Sequence, residues 1–158
     1  MKAMIIYDSF FGNTEQVAQA MGKALDAQAE VDVRRVTEVQ PARFADLDVL
    51  IVGSPTRAFR PSPDIKTFLK ILPGQALDGV KVTAFDTRIS LDDVDSAILP
   101  PMVKLFGYAA EPIAKQLKRK GGNLVLPSEG FFVNGTEGPM KEGELERAAT
   151  WARQLLPK

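Results

Sequence analysis

The segment Asp8-Ser9-Phe10-Phe11-Gly12-Asn13-Thr14 has the composition of a phosphate-binding loop. It offers two hydroxyls, an amide, and a glycine that lets the backbone approach a ligand closely. An amphipathic pattern follows it, so the free backbone N–H groups of a helix N-terminus would add to the site. The glycines and the lysine of dinucleotide and Walker loops are absent, and the segment has no Lys or Arg, so neutral dipoles would hold the phosphate. Alternatively, Asn13 or Thr14 merely caps the helix.

The chain contains no cysteine and no histidine. These absences exclude disulfides, thiolate nucleophiles and iron–sulfur clusters. They also exclude a Ser-His-Asp triad, an imidazole base and ordinary zinc or haem sites. The acidic run Asp92-Asp93-Val94-Asp95 lacks the ligand spacing of a calcium loop. We therefore predict no catalytic side chain and no metal site, and expect any chemistry to come from a bound non-protein group.

Size and charge narrow the class of protein further. The chain has 158 residues, with 20 basic and 20 acidic side chains. This length suits one domain, spanning 1–158. Zero net charge gives no reason to expect nucleic acid or an anionic membrane as partner. The apolar segment near the N-terminus is too short for a signal peptide or a membrane span, so we expect a cytoplasmic protein.

Short apolar runs alternate with longer amphipathic ones along the chain. This alternation predicts a parallel sheet with helices on both faces, a doubly wound α/β fold. Ligands bind such sheets beyond the carboxyl ends of the strands, so the loops after strands one, three and four should form the site. The predicted strands are 4–7, 31–36, 48–53, 80–85 and a fifth interrupted around Pro127, at 124–126 and 131–133; the predicted helices are 14–27, 64–72, 113–120 and 141–156.

The first loop resembles the phosphate loop of the flavodoxin family, which has the form [T/S]-x-[T/S]-G-N-T after the first strand. The match holds at Ser9, Gly12, Asn13 and Thr14 and departs at Phe11. The resemblance extends over the chain, including a V-G-S-P-T segment after the third strand. It implies a flavodoxin-like three-layer sandwich, a five-stranded sheet of order 2-1-3-4-5, and flavin mononucleotide (FMN) as ligand. Without a long insertion in the fifth strand, the chain resembles a short-chain member.

The resemblance also implies that the loops after strands three and four face the isoalloxazine ring. Phe59 either stacks on the ring or packs under its loop. No Tyr closely follows the fourth strand, so Phe106 or Tyr108 either reaches the ring from further along the chain or packs in the core. The implied cofactor-binding residues are Ser9, Phe10, Phe11, Gly12, Asn13, Thr14, Ser54, Pro55, Thr56, Arg57, Phe59, Asp86, Thr87 and Arg88.

Charge distinguishes this chain from flavodoxins, which are typically strongly acidic. It is neutral overall, and Arg57, Arg60 and Arg88 fall in the two loops expected to hold the ring. A cation there favours the anionic reduced flavin and raises its potential. It also attracts an anionic partner, such as a nicotinamide dinucleotide, a carboxylated substrate or an acidic redox protein. Alternatively, these arginines are simply solvated at the surface.

Three functions therefore remain open. The first is an FMN-binding electron carrier that serves a redox partner protein. The second is an NAD(P)H-dependent quinone or flavin reductase, because such enzymes carry a Pro-Thr-Arg-Phe stretch similar to Pro55-Thr56-Arg57-Ala58-Phe59; they usually have a longer chain. The third is a flavodoxin fold without flavin that acts as a binding module, which the Phe11 departure favours and the intact Gly-Asn-Thr opposes.

Overall fold

The computed structural model describes residues 1–40, 44, 46–90 and 107–158. The acidic run at 92–95 and Phe106 lie outside these residues. No helix in the described ranges has the length and apolar character needed to cross a membrane. The strands are β1 (Lys2–Tyr7), β2 (Glu30–Arg35), β3 (Val49–Pro55), β4 (Lys81–Ile89), β5 (Asn123–Leu124) and β6 (Glu129–Val133); the helices are α1 (Asn13–Leu25), α2 (Pro63–Ile71), α3 (Ala110–Arg119) and α4 (Glu144–Arg153).

The strands form one parallel sheet of order β2-β1-β3-β4-β5, and β6 also pairs with β4. The predicted order 2-1-3-4-5 is confirmed, with the fifth position occupied by two short strands. Lys81 pairs with Asn123 at one end of β4, and Phe85 pairs with Glu129 further along. Between them the Thr83 hydroxyl donates to the Leu126 carbonyl at 3.0 Å. The Thr83 side chain thus takes the place of backbone pairing in the segment between β5 and β6, where Pro127 predicted an interrupted strand.

The sheet is buried on both faces because its central strands are apolar throughout. Leu50 and Val52 of β3 pack with α2 and α3, whereas Val49 and Ile51 pack with α1 and α4. This is the alternation of side chains expected of a parallel strand covered on both sides. Gly53 continues the strand, and a Cβ there would lie 2.0 Å from the Phe85 ring. The Phe85 ring therefore occupies the space that a side chain at Gly53 would need.

Arg147 attaches α4 to β6 at the far side of the sheet. Its guanidinium donates to the Glu144 carboxylate at 2.7 Å and to the Gly130 carbonyl, and lies 4.5 Å from the Phe131 ring centroid. The same carboxylate accepts from the Phe132 amide at 2.8 Å. The Arg147 guanidinium holds the pKa of Glu144 below its usual value. This cluster fixes the direction in which the chain leaves β6.

Four predicted boundaries are wrong by three residues or more, two of them the ends of α4, predicted at 141–156 and observed at Glu144–Arg153. Helix α3 begins at Ala110 rather than 113, because the buried Asp86 carboxylate accepts the Ala110 amide at 2.9 Å and so fixes the start of the helix. Pro112 is therefore the third helical residue, still within the turn whose N–H groups have no partner in the helix. Strand β4 runs to Ile89, so Asp86, Thr87 and Arg88 are strand residues rather than loop residues. Pairing with β3 on one side and β6 on the other extends the strand.

Candidate functional site

A cleft opens at the carboxyl ends of β1, β3, β4 and β6. It brings together the three segments that the sequence singles out, at 9–14, 54–57 and 86–88. Ten of the fourteen predicted cofactor-binding residues line it; Gly12, Ser54, Phe59 and Asp86 do not. The lining residues are Ser9, Phe10, Phe11, Asn13, Thr14, Pro55, Thr56, Arg57, Thr87, Arg88, Ile89, Val133 and Thr136.

Helix α1 begins at this cleft without a side-chain cap. The residue before it, Gly12, has φ 90°, a left-handed conformation that glycine adopts without strain. The Ser9 hydroxyl accepts the Gly12 amide at 3.0 Å and so closes the turn. The amides of the first helical turn are thus left for another acceptor, and the helix dipole favours a negative one.

Asn13 and Thr14 are buried and face other loops instead of capping the helix. The Asn13 amide nitrogen donates to the Glu137 carbonyl at 3.0 Å. The Thr14 hydroxyl lies 2.8 Å from the Thr87 hydroxyl at the end of β4. The helix-cap interpretation of these two side chains is therefore wrong. They instead join the first loop to the neighbouring parts of the cleft.

Arg35, at the end of β2, holds the first loop in place through contacts with its backbone and with neighbouring carboxylates. Its guanidinium donates to the Ser9 carbonyl at 2.9 Å and to the Asp8 carboxylate at 3.4 Å, and lies 3.7 Å from the Glu15 carboxylate. Glu15 also accepts from the Tyr7 hydroxyl at 3.0 Å. Burial raises the pKa of Tyr7, and the hydrogen bond to Glu15 adds to that effect. Sequence reasoning missed Arg35, although its register opposite Tyr7 follows from parallel pairing of the first two strands.

Ser54 shapes the loop after β3 from inside the protein. Its side chain is buried, donates to the Pro55 carbonyl at 2.9 Å and accepts the Ser62 amide at the same distance. Ser62 in turn caps α2. Thr56 lies nearer the cleft, and its amide donates to the Thr87 carbonyl at 2.9 Å. Internal hydrogen bonds therefore hold this loop beside β4.

A tight turn at Arg57–Arg60 forms the tip of the same loop. The two arginine backbones pair in both directions, at 3.0 and 2.9 Å. Ala58 and Phe59 between them have φ 47° and 66°, the left-handed pattern of a type I′ turn, usually occupied by Asn and Gly. The turn places the Arg57 guanidinium 4.6 Å from the Phe10 ring centroid. Stacking of Phe59 on a flavin stays a prediction, since Phe59 is half-buried and does not line the cleft.

Asp86 and Arg88 form an ion pair in which Asp86 is fully buried and Arg88 lines the cleft. Arg88 donates to both carboxylate oxygens, at 2.6 and 2.8 Å, and Asp86 has no exposed surface. Burial raises the pKa of Asp86, while the Arg88 guanidinium and the Ala110 amide oppose that rise. The Arg88 guanidinium also lies 3.6 Å from the ring centroid of Tyr108. Its charge is thus compensated at the cleft wall, and Tyr108 packs on Arg88 rather than in the core.

The loop after β6 is a part of the cleft that sequence reasoning missed. Val133 and Thr136 line the cleft, and the Glu137 carbonyl holds Asn13. Gly138 approaches so closely that a Cβ there would lie 2.4 Å from the Asn13 side-chain oxygen. Turn-forming residues in the sequence could have indicated this fourth loop. Glycines, Thr136 and a proline follow the fifth strand, at the same edge of the sheet as the other three loops.

Sheet order and cleft together define a class of protein. The strand order reverses between β1 and β3, and the uncapped helix start lies at that point. Doubly wound α/β proteins bind phosphate-containing ligands at such a switch point. The sequence model of the family described as "Flavodoxin domain" matches residues 4–132, and this chain belongs to that family.

Relatives that match the full length agree with this assignment. The chain is 29% identical over 159 residues to "Probable flavodoxin 2" of Bacillus subtilis (strain 168), covering 99% of this chain and 95% of the relative. The fold is similar to that of flavodoxin 2 from Bacillus cereus, with a TM-score of 0.78 at 24% identity over 98% and 97% of the two chains. An archaeal flavodoxin gives a TM-score of 0.77 at 20% identity, over 98% and 96%.

A second set of relatives matches only in part. The chain is 35% identical over 89 residues to "NAD(P)H dehydrogenase (quinone)" of Methylocella silvestris, which covers 43% of this chain and 45% of the relative. This chain therefore spans less than half the length of that relative.

Proposed function

We propose that the protein binds FMN in this cleft and works as an electron-transfer protein, with the flavin as its redox centre. The supporting observation is the set of hydrogen-bond donors around the start of α1. The Ser9 hydroxyl accepts from Gly12 and keeps its own proton to donate. The Asn13 amide uses one of two protons, and the Thr14 and Thr87 hydroxyls share one bond and keep one proton. Spare donors beside uncapped helix amides fit a phosphate group.

The other cleft residues would hold the ring. FMN, when bound, supplies the electron transfer. Pro55, Thr56 and the backbone of Arg57 would contact the ring from the loop after β3, and Thr87 and Arg88 from β4, with Phe59 as the stacking candidate. Asp86 would act indirectly, because it orients Arg88 and the start of α3 rather than reaching the cleft. The cytoplasmic location stays a prediction.

A second candidate function is reduction of a quinone or flavin by NAD(P)H. The partial match to quinone-type NAD(P)H dehydrogenases and the Pro55-Thr56-Arg57-Ala58-Phe59 stretch favour it. The short coverage of those relatives is why we place it second. For the electron carrier the partner is a redox protein, and the arginines near the cleft favour an acidic one; for the reductase the partner is NAD(P)H. A flavin-free binding module is the third candidate.

The test is a visible spectrum of the purified protein, followed by titration with FMN. The proposal predicts flavin bands, or a shifted flavin spectrum as FMN is added. An unshifted titration at micromolar protein would refute both flavin-dependent functions and favour the binding module. Rapid bleaching by NADH or NADPH alone, with turnover on a quinone, would favour the reductase over the carrier.

The placement of the phosphate has its own test. The double variant Asn13→Ala/Thr14→Ala should bind FMN much more weakly but riboflavin nearly as well, because riboflavin lacks the phosphate. Asn123→Ala/Thr150→Ala removes the same groups from exposed positions outside the cleft and serves as the matched control. An equal loss of both flavins in the cleft variant would contradict the placement.

A further inference from the structure

We infer that the Arg57 guanidinium pairs with the phosphate of the bound flavin and makes the site selective for FMN over riboflavin. The inference rests on the proposed function and goes beyond it, because the segment 8–14 has no cation and the resemblance places Arg57 beside the ring. The structure instead sets its guanidinium over Phe10, within the first loop. The side chain thus reaches across the mouth of the cleft from the loop after β3.

Around the cleft, the described carboxylates that pair with an arginine pair with Arg35 and Arg88 rather than with Arg57. Arg35 pairs with Asp8 and Glu15, at 3.4 and 3.7 Å, and Arg88 pairs with Asp86 at 2.6 Å. Within the described ranges, no carboxylate forms an ion pair with Arg57, whose side chain is exposed at the cleft. A phosphate monoester carries up to two negative charges near neutral pH. Of Arg35, Arg57 and Arg88, Arg57 is the one without an ion pair in the described part of the chain, so its charge suits such a ligand.

The contact with Phe10 leaves the guanidinium free to bind an anion. The guanidinium carbon lies 4.6 Å from the Phe10 ring centroid, and the ring offers the five N–H donors of the planar group no oxygen or nitrogen acceptor. Planar donors of this kind suit phosphate oxygens, often two at once. The backbone pairing of Arg57 with Arg60 fixes the origin of the side chain. Phe10, which is 44% exposed, is thereby assigned as a positioning residue for Arg57.

The experiment compares dissociation constants for FMN and riboflavin at fixed ionic strength. Arg57→Gln should weaken FMN roughly tenfold or more, as expected for loss of a charge-assisted hydrogen bond, and riboflavin less than about twofold. Arg60→Gln removes the same charge from the same turn, at a residue that does not line the cleft, and should change neither constant beyond about twofold. Arg57→Lys should fall between wild type and Arg57→Gln, because the planar fork is lost.

Two outcomes would overturn the inference while leaving the proposed function intact. Equal weakening of both flavins by Arg57→Gln would place the side chain at the ring. No weakening of either would leave Arg57 without a role in binding. Failure of the wild-type protein to bind FMN at all would refute the proposed function itself, and this inference with it.

Inorganic phosphate provides a readout that needs no flavin. It should raise the melting temperature of the flavin-free protein above that in potassium chloride of equal ionic strength. That gain should shrink in Arg57→Gln and persist in Arg60→Gln. Phosphate also stabilises proteins in general by exclusion from their surface, so the comparison between the two variants decides. An identical gain in wild type and both variants would contradict pairing of Arg57 with phosphate.

Discussion

Removing Arg88 should destabilise the flavin-free protein because it leaves the Asp86 carboxylate buried without its cation. In Arg88→Gln the carboxylate keeps the Ala110 amide and loses two charge-assisted hydrogen bonds. Breaking a buried ion pair from one side costs about 3–5 kcal/mol, and the Arg88 side chain, at 16% exposure, places the cost near 3 kcal/mol. With a urea slope of about 2 kcal/mol per molar, the midpoint should fall by about 1.5 M.

The cost should depend on pH in a defined direction. Burial raises the pKa of Asp86 above its ordinary 3.8, and loss of Arg88 raises it further. A group whose pKa is raised by folding contributes stability below its unfolded pKa, and this contribution is lost as pH rises through the folded pKa. The deficit of Arg88→Gln relative to wild type should therefore be larger at about pH 8 than at about pH 5.

The assay is urea unfolding followed by far-ultraviolet circular dichroism and by fluorescence of Trp151, the single tryptophan. Asp86→Asn/Arg88→Gln is the matched control, because it removes both charges and keeps an oxygen that accepts the Ala110 amide. The double variant should be more stable than Arg88→Gln alone. The reasoning fails if Arg88→Gln costs less than about 1 kcal/mol, if its cost is independent of pH, or if the two substitutions are additive.

Three further predictions follow from the fold. Glu144→Gln should lower the free energy of unfolding more at about pH 7 than at about pH 3. Folding lowers the pKa of Glu144, so its carboxylate stabilises the protein above the unfolded pKa of 4.5, and this contribution is lost as pH falls through the folded pKa. Equal losses in urea melts at the two pH values would contradict this. Gly53→Ala should cost about 3 kcal/mol, the upper end of the usual cost of overpacking, since its Cβ would overlap the Phe85 ring, and a melting temperature within a few degrees of wild type would refute that packing. Ala58→Asn should raise stability by about 0.5–1 kcal/mol with an unchanged urea slope, because Asn tolerates the left-handed backbone; a lower urea midpoint would argue against strain at that turn.

The spacing of apolar residues predicted the strands and helices whose buried faces it reflects. The apolar run 49–52 indicated a strand buried on both faces, and the spacing of Ile65, Phe68 and Leu69 indicated α2. The strand ends were harder, because Asp86 and Arg88 are polar residues that a sequence pattern assigns to a loop. They continue β4 by pairing with β3 and β6. Their mutual neutralisation, and the contact of Asp86 with the start of α3, favour burial there, and sequence periodicity shows neither contact.

The candidate site shows the same limit. The motif 9–14 identified the loop at the cleft, but not what its side chains do. Asn13 and Thr14 have partners at Glu137 and Thr87, from segments far along the chain. Arg35 and the loop after β6 reach the cleft through the parallel register of the sheet, which a single sequence leaves undetermined until the strand order is fixed.

The hydrogen bond between the Thr14 and Thr87 hydroxyls can run in either direction. At 2.8 Å apart, either oxygen can be the donor, so the pair has two proton arrangements with the same heavy-atom positions. An acceptor beside Thr14 selects the arrangement in which Thr87 donates, and an acceptor beside Thr87 selects the reverse. An acceptor at the helix end can therefore change which way the hydroxyl at the strand end points its hydrogen. The change needs only rotation of two hydroxyl hydrogens, with no movement of the backbone.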